Sequence, residues 1–209
     1  RTGSADLGNQ QMSISANQVK ELRERTGVGI MDCKQALQES SGDVDEAIKI
    51  LRKMGKAKVA KKASREASEG RIEAYVHLGS KIAVILELNC ETDFVANTED
   101  FRALAKDLAL HIASTSPLAV SKDDIDAALI DREKAVYAEQ VKEEGDKPEH
   151  IVEKIIEGRL NKFFKENTLM AQPFVKDTDK TIEELITEIS ARTGEKIGVA
   201  RFARIKVGE

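Results

Sequence analysis

The sequence feature that most constrains the fold is the apolar run IAVILEL at residues 82–88. It follows the alternating segment RIEAYVHL and a Gly-Ser pair, which together predict a β-hairpin. Because the apolar residues of the second strand are consecutive, we expect both of its faces to be covered. Helices must then pack on this strand, and TEDFRALAKDLALHIAS at residues 98–114 supplies one with apolar residues at helical spacing.

Upstream of the hairpin, glycines divide the chain into three short helical segments. Ser15 is the expected cap of the first helix, and Asp43 is the expected cap of the third. Gly55 is expected to lie just beyond the end of the third helix. The predicted organisation is a tag or disordered tail at 1–13, a three-helix domain at 14–55, a linker at 56–69 and a core at 70–209.

The remainder of the core alternates between helical and strand patterns. Two helical segments at about 123–167 are broken by EEGDKP and predict a helical hairpin. TLMAQPFV predicts a late strand, TIEELITEISARTG another helix and KIGVARFARIKVG a final strand. We therefore expect an α+β fold in which helices pack on one side of an antiparallel sheet.

Composition argues against several classes of function. The 209 residues carry a net charge of -4, which is unlike a protein that binds nucleic acid by neutralising many phosphates. The lysine-rich stretch at 56–70 has no aromatic residue for stacking on bases, so we interpret it as a solvated linker. No apolar run is long enough to cross a membrane, and the two distant cysteines indicate a reducing compartment. We expect a cytoplasmic protein with no direct nucleic acid or membrane partner.

Motifs for catalysis and for cofactor binding are missing from the sequence. Neither a dinucleotide fingerprint nor a phosphate-binding loop occurs, and no two histidines share a helix face. We therefore expect no enzyme activity, no cofactor, no metal site and no nucleotide bound by this chain. One alternative is a thiol enzyme in which Cys90 is paired with His111 as its base.

Several long motifs, in order along the chain, resemble the elongation factor Ts family. They are VKELRERTGVGIMDCKQAL, NCETDFVA, EGRLNKFF, QPFVKD and TGEKIGVARFAR. Members of that family are guanine-nucleotide exchange factors for the translational GTPase elongation factor Tu. The resemblance implies that the N-terminal helices form a ubiquitin-associated-like bundle and that the chain acts in translation elongation.

The resemblance also implies which residues contact the GTPase. Lys20, Arg23, Ile30 and Met31 would contact its nucleotide-binding domain. In the segment Thr92–Val95, Asp93 and Phe94 would enter near its magnesium and phosphate site and displace the metal. From the sequence alone, Phe94 could equally be a core residue that closes the hairpin. The resemblance favours the other interpretation, in which the Phe94 side chain is a wedge that inserts into the GTPase.

The length of the chain resembles that of short family members, which pair into homodimers. We therefore expect a symmetric dimer and a two-plus-two complex with elongation factor Tu. Some short members carry a bridging cysteine in the last strand, where this chain has Ala203, so the dimer would be noncovalent. An alternative function is a ubiquitin-type or peptide-binding adaptor without exchange activity.

Overall fold

The computed structural model describes residues 14–209, so the predicted tail at 1–13 lies outside the described residues. The chain divides into two compact units. The first contains the described residues up to Ala63 together with Ala191–Gly194, and the second contains Ser64–Ser190 and Glu195–Glu209.

Three helices form the first unit: α1 (Ala16–Thr26), α2 (Ile30–Glu39) and α3 (Val44–Ala60). Ser15 caps α1 in a capping box with Gln18, and the Asp43 carboxylate accepts a hydrogen bond from the Glu46 N–H at 2.9 Å. The three helices enclose a small apolar core, whose buried members are Val19, Leu22, Cys33, Ala36, Leu37, Ala47 and Leu51.

Helix α3 is longer than predicted, because it continues through Gly55 to Ala60. Gly55 is buried inside the helix, so the expected break there is wrong. An interior glycine costs a helix only about 1 kcal/mol relative to alanine. The added turns contribute an ion pair in return, since Lys58 Nζ lies 2.6 Å from the Asp32 carboxylate of α2. The predicted linker at 56–69 thus begins inside a helix.

The remaining α-helices and strands belong to the second unit, except that the last three residues of the final helix belong to the first. They are β1 (Glu69–Val76), β2 (Ile82–Cys90), α4 (Asp93–Ala96), α5 (Glu99–Thr115), α6 (Ala127–Glu143), α7 (Glu149–Asn167), β3 (Pro173–Phe174), β4 (Asp177–Thr181), α8 (Ile182–Thr193) and β5 (Gly198–Lys206). The strand order β1-β2-β5 is antiparallel throughout, which confirms the α+β fold with its predicted hairpin and final strand.

Among residues 14–209, the chain covers only one face of this sheet. Val84, Leu86, Leu88 and Cys90 of β2 are buried in a core that also contains the apolar side of α5. The opposite face, which we call the outer face, carries Ile85 with 53% of its surface exposed. Within a single chain, the expectation that both faces of β2 are covered is therefore wrong.

The outer face is largely apolar across all three strands. The strand register aligns Ala74, Ile85 and Ala203 across its middle. The exposed large apolar residues on this face are Ile72, Val76, Ile85 and Ile205. One ion pair crosses it, from the Arg201 guanidinium to the Glu87 carboxylate at 2.8 Å.

Helices α6 and α7 pack on each other as the predicted helical hairpin. The late strand is mostly absent, since residues 169–171 form a 3-10 turn and β3 is only two residues long. The N–H groups of Leu169 and Met170 instead donate to the carbonyls of Ala119 and Val120. Within residues 14–209, no helix is both long and apolar enough to cross a membrane.

Candidate partner-binding site

The segment Thr92–Val95 lies immediately beyond the end of β2 and forms most of a one-turn helix. Thr92 has extended backbone angles and caps α4, with its hydroxyl oxygen accepting a hydrogen bond from the Val95 N–H at 3.4 Å. At the other end, the Asn97 amide donates to the Asp93 carbonyl at 2.9 Å. One backbone N–H and one backbone carbonyl of this short helix are therefore bonded to flanking side chains.

Within α4, neighbouring side chains face opposite environments. Phe94 has 83% of its surface exposed, and Asp93 beside it is exposed as well. Val95 and Ala96 are buried in the core formed with β2 and α5. The interpretation of Phe94 as a core residue is therefore wrong. Val95 supports the turn from inside and has little surface exposed to a partner.

A carboxylate distant in sequence contacts this turn. Glu195 lies between α8 and β5, and its Oε2 accepts hydrogen bonds from the N–H groups of Glu91 at 3.1 Å and Thr92 at 3.0 Å. Its Oε1 accepts a third bond from the Thr92 hydroxyl at 2.6 Å. Sequence reasoning missed Glu195. The antiparallel pairing of β2 with β5 could have indicated it, because that pairing brings the end of β2 beside the start of β5.

The other four predicted contact residues lie in the first unit. Lys20 and Arg23 are exposed one turn apart on α1, and Lys20 lies 3.8 Å from the Glu24 carboxylate. Ile30 and Met31 open α2 with exposed fractions of 52% and 75%. Two adjacent, largely exposed apolar side chains are unusual on a water-facing helix and are typical of a protein-binding surface.

Cys90 and His111 do not form the thiol and base pair of the alternative hypothesis. Both are buried, but the Cys90 thiol donates to the Thr92 carbonyl at 3.1 Å. The His111 ring is hydrogen-bonded to the Gln172 side chain through Nε2 and to the Val175 N–H through Nδ1. Burial, together with the negative charge of Glu195, raises the pKa of the Cys90 thiol above its usual value. Cys90 is therefore a protonated structural thiol.

A metal site would need several acidic, histidine or cysteine side chains close together. Among the residues that the structure describes, no cluster of three or more is arranged to hold a metal ion. The chemistry available at the α4 turn is therefore that of an exposed aromatic ring beside a carboxylate.

Comparison with known proteins gives one consistent result. Residues 4–209 match the family model described as Elongation factor TS. The chain is 55% identical to elongation factor Ts of Thermosipho melanesiensis over 196 residues, which is 94% of this chain and 100% of that protein. It is 57% identical to elongation factor Ts of Herpetosiphon aurantiacus over 197 residues, covering 94% of this chain and 99% of that one. The protein is a member of the elongation factor Ts family and thus a translation elongation factor.

Proposed function

We propose that this chain binds the GDP form of elongation factor Tu and accelerates GDP release by inserting Asp93 and Phe94 near the GTPase's magnesium and phosphate site. The observation that carries the proposal is the exposed Phe94 on a turn whose other side is buried, in a member of this family. A large aromatic ring kept in water gains free energy only when a partner covers it.

The free energy needed to accelerate GDP release can be compared with the free energy that burial of Phe94 supplies. A thousandfold acceleration needs about 4 kcal/mol of differential stabilisation, at about 1.36 kcal/mol per tenfold. Burial of one phenylalanine side chain contributes roughly 1.5–3 kcal/mol. We attribute the remainder to loss of the partner's magnesium ion, which is often the largest local charge in a phosphate site. Asp93, adjacent to the ring, would disturb that electrostatic environment.

The exchange mechanism needs no covalent step, so the chain acts here as a binding protein and not as an enzyme. If the exchange factor weakens nucleotide binding by some factor, then nucleotide weakens binding of the exchange factor by the same factor. Rebinding of GTP would therefore release it. Lys20, Arg23, Ile30 and Met31 would supply a second contact, to the nucleotide-binding domain.

The second partner that we propose is another copy of this chain. The outer face of the sheet exposes Ile72, Val76, Ile85 and Ile205 to water, and apolar patches of this kind mark protein interfaces. Stacking two such faces about a two-fold axis would bury both at once. The assembly with elongation factor Tu would then contain two copies of each protein, in the cytoplasm.

A fluorescent GDP release assay with purified elongation factor Tu tests the proposal. We expect the intact chain to accelerate release and Phe94→Ala to lose most of the acceleration. An adaptor without exchange activity would bind elongation factor Tu and leave the release rate unchanged. A native release rate for correctly folded Phe94→Ala would contradict the wedge mechanism.

A further inference from the structure

Helix α4 is too short to maintain its own conformation. Its four residues make about one turn, and the first turn of a helix is unfavourable because several residues are fixed for one hydrogen bond. Burial of Val95 and Ala96 anchors one side of the turn. The direction in which Phe94 points also depends on the backbone at Glu91 and Thr92, where β2 has already ended.

Glu195 holds that backbone by three hydrogen bonds, which stabilise two N–H groups and one hydroxyl group of the turn. Because the Thr92 hydroxyl proton is donated to Glu195, its lone pairs are available to the Val95 N–H. The contact from Glu195 therefore orients the cap of α4. Hydrogen bonds to an ionised carboxylate are stronger than those between neutral groups.

The reverse contact links the same two segments. Glu91 Oε1 accepts a hydrogen bond from the Lys196 N–H at 2.6 Å, so each segment supplies a carboxylate to the backbone of the other. Glu195 is itself held, because the hydroxyl of the buried Ser190 donates to its carbonyl oxygen. These reciprocal hydrogen bonds between the two segments involve Glu91, Thr92, Glu195 and Lys196.

We infer that Glu195 is a positioning residue for exchange, which holds the α4 turn so that Phe94 stays presented before the partner arrives. The inference rests on the proposed exchange function. A preorganised turn does not lose conformational entropy at the moment of binding. The free energy gained by inserting Phe94 is therefore not reduced by the cost of ordering the turn. A small displacement of the ring would lower the rate even though every contact residue remained present.

Glu195→Gln is the informative substitution. It keeps the shape of the side chain but replaces one acceptor oxygen by an NH₂ group, which can only donate. If the remaining oxygen faces the two backbone N–H groups, the NH₂ group can only donate to the Thr92 hydroxyl, whose own proton then loses its acceptor. The bonds that remain are also weaker, because the acceptor is no longer charged. At saturating exchange factor we expect maximal GDP release to fall roughly tenfold, with little change in the half-saturating concentration, since Lys20, Arg23, Ile30 and Met31 are intact.

Three controls separate positioning from a general loss of structure. Glu183→Gln changes an exposed glutamate on α8 in the same way and should leave release unchanged. Glu195→Asp retains the charge and should restore part of the rate. In the Phe94→Ala background, Glu195→Gln should cost nothing further, because residues that act through one another are not additive. Amide hydrogen exchange should show weaker protection at Val95 in Glu195→Gln.

The outcomes distinguish this inference from the proposed function. If the unmodified chain does not accelerate GDP release, exchange itself fails. If it does, and folded Glu195→Gln releases GDP at the unmodified rate, the positioning role is overturned while exchange stands. Equal additive losses in both backgrounds would also overturn it. Should Glu195→Gln not fold, Thr92→Val removes the hydroxyl's bonds to Glu195 and to the Val95 N–H but keeps the backbone bond to Glu195. An unchanged release rate in that variant would count against positioning.

Discussion

Phe94 and Val95 are adjacent in sequence, yet Phe94 is 83% exposed while Val95 is only 9% exposed. Successive side chains of a helix point about 100° apart, so Val95 can be buried while Phe94 faces water. The arrangement leaves the aromatic ring accessible to a partner and buries the smaller β-branched residue in the core.

Substitution of Phe94 should therefore separate function from stability. For Phe94→Ala we expect the free energy of unfolding to change by less than about 0.5 kcal/mol, since the ring contributes little burial in the free chain. Phe101, which is fully buried on α5, provides the matched comparison. Phe101→Ala should cost about 3–5 kcal/mol. Urea unfolding of both variants measures the difference, and a large loss of stability in Phe94→Ala would contradict the exposed position.

The two cysteines give a prediction about reactivity. Cys33 and Cys90 are both free and buried, and burial raises the pKa of each thiol. We expect a thiol reagent such as DTNB to react slowly with the native protein at pH 7 and rapidly with two thiols in denaturant. Cys90→Ser should leave GDP release nearly unchanged. Rapid modification of native Cys90 with loss of function would instead favour the thiol enzyme hypothesis.

Much of the fold follows from patterns within short windows of sequence. The final strand and α5 carry apolar residues at strand and helix spacing, and the Gly-Ser pair between two β-rich runs indicates the hairpin. The end of α3 differs from the prediction because one glycine costs a helix interior only about 1 kcal/mol, which does not end the helix at Gly55. The late strand was overestimated because its backbone pairs with residues 119 and 120, about fifty positions earlier, instead of with a sheet.

The candidate site could be predicted from local sequence patterns only in part. Phe94 could be selected only through the family resemblance, since neither its neighbours nor its spacing decides between core and surface. A one-turn helix is too short to show periodicity, so α4 had no signal of its own. Glu195 lies 103 positions from Thr92, and a hydrogen bond over that separation depends on which strands pair, which no short window of sequence contains.

His111 gives a prediction about pH. Burial lowers its pKa below the usual 6.5, against a smaller opposing effect of the Gln172 hydrogen bond. Between the lowered folded pKa and 6.5 the unfolded chain binds more protons than the folded chain, so protonation favours unfolding. The contribution of His111 is therefore fully present above pH 6.5 and is lost as the pH falls toward the folded value.

Urea unfolding between pH 7.5 and 5.5 measures this effect. Protonation would also place an N–H at Nδ1 against the Val175 N–H, which needs an acceptor. His111→Gln should be less stable at pH 7.5 and should lose the His111 part of the pH dependence. If the unmodified chain and His111→Gln showed the same slope below pH 6.5, the buried neutral ring would not be the cause.

The outer face of the sheet gives the last prediction. Ile85 lies at its centre, in register with Ala74 and Ala203, and it is half exposed in the single chain. A glutamate at this position would remain in water in a monomer but would meet its own copy across a two-fold axis, where desolvated like charges cost several kcal/mol. We expect Ile85→Glu to fold normally and to raise the dimer Kd by roughly a hundredfold or more.

Light scattering at micromolar concentration measures the change, and Leu118→Glu, at a site of similar exposure outside the sheet, should remain dimeric. A monomeric parent chain would remove the dimer proposal, and a dimer unaffected by Ile85→Glu would place the interface on another surface.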